Sequence, residues 1–491
     1  MSAAGSERIE LEPLAGPDLR AFINETLEGC ELNDEMRFAV ARAGEGNPFF
    51  TEELLKSAVE GRTPAGSSNA SALPRSVRAT LLERLRPLDD HERRVLAQAA
   101  VIGRSFDLAL LAQTLQTDTQ SLLPALLRAR NFQLISEVSP TLFQFRHALT
   151  REAIYGNFLA AQLRPLHHTI ALALESAPAD QRSVESLAYH WWAAGDRSRS
   201  AHYNEMAGDN AAAIHAHEDA IAYFQRALKT VDALCGARGR LLEKVADRRV
   251  AASFHDMARS AYAQAAAVFH ELGDSEREAT CLVREALESF RCNDSKPTAG
   301  LQAMLERLDK SDYLTRSRIH LGIARITVSL YQVAETIHHL AQIDRRAIDL
   351  EPEIKFRFHN VQEWLAMVMG DAQRFRVEHE KSVEGARNIG LPQLLASVLA
   401  NGAGCYALFG LHDDAQHDIR LAFHSAREER SREGEALAHA KSARCCLLRG
   451  DVVAAKAAVE AVRALPVDNQ MIITEAAAWG PLPLAISAMR S

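Results

Sequence analysis

Arg146 and His147 lie in the run Phe145-Arg146-His147-Ala148-Leu149-Thr150-Arg151-Glu152-Ala153-Ile154-Tyr155, where a guanidinium neighbours an imidazole at the end of an alternating apolar stretch. Such a pair can donate hydrogen bonds to a phosphate oxygen. A histidine beside an apolar strand also reads as a core side chain with its own partner. Upstream, Gly46-Asn47-Pro48-Phe49-Phe50-Thr51-Glu52-Glu53-Leu54 is a second informative run. Asn47-Pro48 fixes an extended entry, and Phe49, Phe50, Leu54 and Leu55 form an apolar helix face. Asn47 or Thr51 can cap that helix, with Glu52 and Glu53 at the positive end of its dipole. Neither run brings a phosphate cradle. No Gly-Lys dipeptide occurs in the 491 residues, so Gly-x-x-x-x-Gly-Lys-Ser/Thr is not in this sequence.

Other chemistries find little support. The seven cysteines, Cys30, Cys235, Cys281, Cys292, Cys405, Cys445 and Cys446, show no Cys-x-x-Cys spacing and read as reduced, mostly buried small hydrophobes. His167, His168 and His190 have no metal spacing, and acid/base pairs, Ser/His/Asp arrangements and glycine-rich loops are not recognisable. Fifty-six basic against sixty-four acidic side chains leave a net charge of −8, unfavourable for a surface that neutralises phosphates. The start, Met-Ser-Ala-Ala-Gly-Ser-Glu-Arg, lacks a signal-peptide core, and no run approaches the roughly eighteen apolar residues of a membrane span. A folded cytoplasmic protein is expected.

The elements that must position these residues are mostly helical. Aromatics make up only 6%, and apolar residues recur at spacings of three and four among Ala, Leu, Glu and Arg. Arg8 to Leu14 alternates like a short strand, and Phe132–Ser136 with Thr141–Phe145 reads as a β-hairpin turning at Ser139-Pro140. The Gly-, Ser- and Pro-containing stretch from Gly61 to Ser71 reads as a linker. After it come helices at Ser76–Arg86, Asp89–Ala100 and Thr119–Ala129, with Ser105–Leu115 a further short helix; Asp89 and Glu92 have capping-box spacing. Three helices and a two-stranded wing make a winged-helix arrangement.

The second half carries a repeat. An acidic turn residue followed by a small one recurs at Asp219, Asp256, Asp294, Asp371, Asp414 and Asp451, with a degenerate member near Gln332. The intervals of 37, 38, 38, 39, 43 and 37 residues each hold two helices, which indicates tetratricopeptide-like units. Gly370-Asp371, Gly410 to Asp413 and Gly450-Asp451 mark tight turns whose aspartate caps the next helix, and Ala415, Ala454 and Ala457 let paired helices approach closely. The adjacent Trp191 and Trp192 point about 100° apart on a helix, so one can bury while the other covers a neighbour. The last forty residues, ending Pro481-Leu482-Pro483-Leu484, look like a fading terminal repeat, and nothing after Asp468 resembles a DNA-reading helix-turn-helix.

In this order the two opening runs, with Leu73-Pro74-x-Ser76-Val77 and the connector motifs Arg164-Pro165-Leu166-His167-His168 and Ala188-Tyr189-His190-Trp191-Trp192, resemble the C-terminal part of a family of regulatory ATPases. These are the signal-transduction ATPases with numerous domains (STAND), found in large LuxR-type and MalT-like transcription activators and behind some class III nucleotide cyclases. The resemblance is specific from residue 7 to 235 and lacks the P-loop core. It implies residues 1–70 as an ATPase-core strand plus helical lid, 71–158 as a winged helix, 159–199 as a helical connector and 200–491 as MalT-like repeats in an α-superhelix. It also implies nucleotide contacts: Asn47 and Pro48 of the lid against the base, and His147 with Arg146 towards the β-phosphate. They apply only where an ATPase core is supplied in trans. Arg128 and Arg130 lie on the helix that reads DNA in other winged helices, but here that fold resembles a hinge, and direct DNA binding is not expected. Arg151 and Glu152 are expected to form surface pairs.

No enzyme is expected from these residues, and no cofactor in this chain alone, although ATP or ADP belongs to the family's intact architecture. The leading expectation is a non-catalytic signalling module whose repeats bind a small inducer or protein partner on their concave face, in transcriptional regulation. The alternatives are the regulatory tail of a nucleotide cyclase or ATPase, and a standalone interaction scaffold with a vestigial lid.

Overall fold

The computed structural model describes residues 13–27, 32–59, 75–83, 85–178, 182–390, 392–428 and 431–465. The proposed strand up to residue 12, the linker from Gly61 to Ser71 and the segment after Asp468 lie outside them. Two compact units divide the chain, Met1–Asn204 and Glu205–Ser491.

The first unit opens with α1 (Gly16–Leu27), α2 (Asp34–Gly44), α3 (Pro48–Val59) and α4 (Arg75–Glu83). Their apolar faces meet in a core of Ile23, Leu27, Val40, Phe50, Leu54, Leu55 and Leu81, which also takes in Leu149 and Ala153. Next come α5 (Asp90–Ile102), β1 (Ser105–Asp107), α6 (Leu108–Thr114), α7 (Thr119–Asn131), β2 (Ile135–Glu137), β3 (Leu142–Phe145) and α8 (Ala148–Tyr155). The expected capping box forms at α5: Asp89 accepts from the Glu92 amide at 2.8 Å, and Glu92 accepts from the Asp89 amide at 2.8 Å.

The segment Ser105–Leu115 corrects the sequence reading, because it is not helical throughout. Phe106 is buried and stacks on Phe143, its register partner, so residues 105–107 pair with β3 as a third antiparallel strand, in the order β1-β3-β2. Asp107 then caps α6, accepting from the amides of Ala109 and Leu110. Three residues are too short for the period-2 alternation that marks a strand. Next come α9 (Ala160–Ser176) and α10 (Val184–Ala194), and α11 (Arg197–Ala213) continues past the boundary at Asn204.

In the second unit the helices pair as hairpins. α11 pairs with α12 (His217–Leu228), α13 (Gly236–Ala251) with α14 (His255–Glu271), α15 (Ser275–Arg291) with α16 (Ala299–Arg307), and α17 (Tyr313–Ser329) with α18 (Val333–Ala341). After the short α19 (Arg345–Leu350) come α20 (Pro352–Met369) with α21 (Ala372–Ile389), α22 (Pro392–Leu408) with α23 (His412–Glu428), and α24 (Arg432–Leu448) with α25 (Val452–Ala464). This is the tetratricopeptide-like, mostly α architecture expected from the spacing.

The true period marker is the backbone of each hairpin turn. His215, Ser253, Asn293, Tyr331, Gly370, Gly410 and Gly450 all have positive φ, between 58° and 85°, at intervals of 38 to 40 residues. At each, the following amide donates back to the carbonyl five residues earlier, from Ala216 to Ala211 (2.9 Å) through to Asp451 to Cys446 (2.9 Å), closing a Schellman motif. The aspartates are less regular than expected. Asp371 and Asp451 do cap their helices, whereas Asp219, Asp256 and Asp414 sit inside the first turn, where they serve the dipole rather than the cap. Ala415 packs as expected, but Ala457 faces solvent, and Ala455 and Ala458 take the buried face of α25.

Candidate functional site

The turn between α2 and α3 is built by close approach. A Cβ on Gly44 would stand 2.3 Å from Thr51 Oγ1, and one on Gly46 would stand 2.3 Å from the Leu14 carbonyl oxygen. The Leu14 amide donates to the Gly46 carbonyl at 2.9 Å, so residues 13–15 dock on this turn. Between the glycines, Glu45 adopts a left-handed φ of 49°. Asn47 lies just before α3 and accepts from the Phe50 amide at 3.3 Å, and Pro48 occupies the first helical position, where its missing N–H is no loss.

Glu45 reaches across to α8. Its carboxylate lies 3.2 Å from His147 Nδ1, 2.8 Å from the Arg104 guanidinium and 3.5 Å from the Ala148 amide, while the His147 ring meets Phe50 edge-on. His147 is the residue before α8, yet its side chain caps nothing. An imidazole, a guanidinium and a helix N-terminal amide therefore converge on one anionic group, which is the inventory of an anion site. Here a carboxylate of the chain itself fills it. Of the four residues expected to contact nucleotide, Asn47, Pro48 and His147 gather around this turn. Arg146 is exposed at the end of β3, its amide donating to the Leu134 carbonyl at 3.0 Å and its side chain meeting no partner among the described residues. Glu45 and Arg104 were not legible as partners, although Gly44-Glu45-Gly46, an acid between two glycines, is a visible trace of the turn.

Behind α8 runs a buried polar chain. Tyr155 Oη lies 2.9 Å from His167 Nε2, and His167 Nδ1 lies 2.8 Å from His190 Nδ1. Burial lowers the pKa of His167 to about 4 and, with the neighbouring His167, that of His190 to about 3, so both rings are neutral near pH 7 and one donates to the other. Among the described residues no cluster could hold a metal ion. Trp191 is fully buried and donates to Glu175 at 3.1 Å, whereas Trp192 is 45% exposed, the division expected of adjacent tryptophans.

The two arginines of α7 are occupied. Arg128 donates to the Pro87 carbonyl at 2.8 Å and Arg130 pairs with Glu137 at 3.0 Å. Arg151 does not form the expected surface pair with Glu152. It donates to the Ala100 carbonyl at 2.9 Å and covers the Tyr155 ring, while burial raises the Glu152 carboxyl.

No family model and no curated protein matches the chain. Among solved structures it is similar to a STAND protein with a tetratricopeptide repeat sensor from Pyrococcus horikoshii, at TM-score 0.39 and 13% identity, over 97% of this chain and 74% of that one. It is also similar to the Rap conjugation gene regulator of plasmid pLS20 in complex with the Phr* peptide, at TM-score 0.41 and 12% identity, over 67% of this chain and 92% of that one.

Two features of the second unit are built for charge. His379 lies between Glu363 (2.9 Å) and Asp418 (2.8 Å), stacked flat on Phe375. Burial alone would discharge the ring, but hydrogen bonds and attraction from both carboxylates outweigh it and raise its pKa to about 9. Gly402 makes room, since a Cβ there would stand 2.0 Å from His379 Cε1. Separately, α15, α17 and α20, the first helices of successive hairpins, enclose a cavity of about 340 Å³. Its lining combines an apolar floor with four arginines. Among the described residues no helix is long and apolar enough to cross a membrane.

Proposed function

We propose that this chain is a non-catalytic signalling module of a STAND-type switch, acting in transcriptional regulation. In this reading an inducer or protein partner binds the helical repeats. The response passes through a winged helix, formed by α5 to α7 with the three strands, to a lid formed by α1 to α3. An ATPase core with its P-loop, and with it ATP or ADP, comes from elsewhere.

The observation that carries the reading is the Glu45 bridge. The lid turn is fastened to the start of α8 through the very groups, His147 and the α8 amide, that could receive a phosphate. A nucleotide phosphate and the Glu45 carboxylate would compete for the same donors, giving the lid two alternative holds and a basis for switching. An inducer shifts such a balance only as far as it prefers one state.

The test is titration of the purified protein with ATP and ADP by calorimetry. The expected result is no saturable binding below roughly millimolar, because most phosphate contacts belong to the missing loop and Glu45 blocks the rest. Micromolar affinity would contradict the reading outright.

A further inference from the structure

The cavity of the second unit has a composition that selects a ligand. From α15 come Glu276, Thr280, Val283, Arg284 and Leu287; α17 adds Arg318, Leu321, Gly322 and Arg325; Glu353, Ile354, Arg357 and Val361 come from α20. These are single helix faces, at spacings of three, four and seven. Val283, Leu287, Leu321, Ile354 and Val361 form an apolar floor. The helices approach closely at Gly322, where a Cβ would meet Val283 Cγ2 at 2.7 Å.

The four guanidiniums are not equally satisfied. Arg284 pairs with Asp247 at 3.0 Å, and Arg357 pairs with Glu353 at 2.8 Å. Arg318 reaches Glu276 at 3.1 Å through one terminal nitrogen, but its other, Nη1, is buried with no partner. Arg325 has no side-chain hydrogen bond or ion pair among the described residues, with the like charges of Arg357 and Arg291 near it and Glu288 as the opposing influence. Burial, then those two arginines, lower its pKa to about 10. Arg325 is half-buried and lines the cavity, and a largely desolvated cation without a partner is unfavourable enough that proteins normally answer it with a counter-ion. The acids that line the cavity do not answer this one. Glu276 and Glu353 are engaged with Arg318 and Arg357, and Glu351 makes no ion pair with Arg325.

We propose that the α15–α17–α20 cavity binds an organic acid, its carboxylate held by Arg325 and the free Nη1 of Arg318 and its apolar body lying on Val283, Leu287, Leu321 and Ile354. The planar fork of guanidinium matches a carboxylate, and the volume suits one small molecule or the C-terminal residues of a peptide. The inference deepens the proposed function by naming the ligand class, and rests on that reading only for the idea that occupancy is a signal.

Calorimetric titration with 4-phenylbutyrate, 4-phenylbutyramide, and an acetylated Ala-Leu-Phe tripeptide with free or amidated C-terminus tests it. At least one acid is expected to bind about ten-fold or more tightly than its amide, and Arg325→Met is expected to abolish that preference. Preference within the phenylbutyrate pair alone marks a small metabolite as the source, and preference within the tripeptide pair alone marks a peptide end. Equal affinity of each acid and its amide, or no binding by any of the four at millimolar concentration, overturns the proposal. A second measurement needs no ligand: Arg325→Met removes an unpaired, half-buried charge that Arg357 and Arg291 repel, so the melting temperature of the unliganded protein should rise. A fall would make Arg325 a structural residue and overturn the proposal as well. Neither failure touches the relay reading, which falls only if ATP or ADP binds the purified protein at micromolar concentration.

Discussion

A histidine held between two carboxylates in a dry site keeps its proton far beyond the usual range, and His379 is in that position. Its pKa is raised from an ordinary 6.5 to about 9, so the folded chain binds a proton that the unfolded chain releases between those limits. The stabilisation is therefore complete below about pH 6.5 and is lost as pH rises through about 9, with a magnitude on the order of 3 kcal/mol. Urea midpoints should fall between pH 7 and pH 9, and a ring resonance of His379 followed by NMR should still report the charged form at pH 8. Asp418→Asn, which removes one of the two negative charges, should bring both changes to lower pH. A midpoint that stays flat across this range would mean that the ring is neutral. His379 shares no sequence signature with its partners, because Glu363 and Asp418 come from α20 and α23 and meet it only in the packed array.

At the scale of elements, the seven hairpin turns share one backbone conformation and not one residue type. The last three use Gly370, Gly410 and Gly450, while the first four force His215, Ser253, Asn293 and Tyr331 into left-handed φ. A non-glycine residue there costs about 1 kcal/mol or more, with Asn partly excused by its short polar side chain. Tyr331, 73% exposed, has little packing to offset that cost. Tyr331→Gly should thus stabilise the chain by up to about 1 kcal/mol, and Gly450→Ala should destabilise it by at least as much. Chemical denaturation of both variants checks this, and the same sign for the two would refute it. The glycine turns were legible in sequence, and so was the period. The first four turns were not, since a tyrosine or histidine gives no warning of positive φ. The aspartate markers drifted to intervals as uneven as 37 and 43 because some cap their helix and others sit inside its first turn, where the turns themselves keep 38 to 40. β1 escaped notice for a similar reason: Phe106 becomes a strand residue only by stacking on Phe143, 37 positions away. At the candidate site His147 and Asn47 were legible from local pattern, while Glu45 and Arg104 required the fold to bring α2 and the end of α5 together.

Two separate compact units also mean two separate responses to pH. In the first, His167 and His190 are buried neutral, with pKa values lowered to about 4 and about 3. Below about pH 6.5 the unfolded chain takes up protons that these rings refuse, so their contribution is present above pH 6.5 and is lost as pH falls towards 4. The second unit carries the same liability at His320, lowered to about 4 by burial and the adjacent His339. It alone carries the opposite one at His379 among the described residues with shifted histidines. Acid should accordingly weaken both units, and mild alkali only the second. Scanning calorimetry is expected to resolve two transitions, both moving down between pH 6.5 and pH 4.5 but only one moving down between pH 7 and pH 9. His379→Gln, which removes the alkaline proton release, should abolish that second shift while leaving the acid response of the first unit unchanged. In a repeat array each hairpin leans on its neighbours, so loss at His379 should spread through the second unit's transition as a whole. A single transition that moves as one at both extremes would instead require the two units to unfold together.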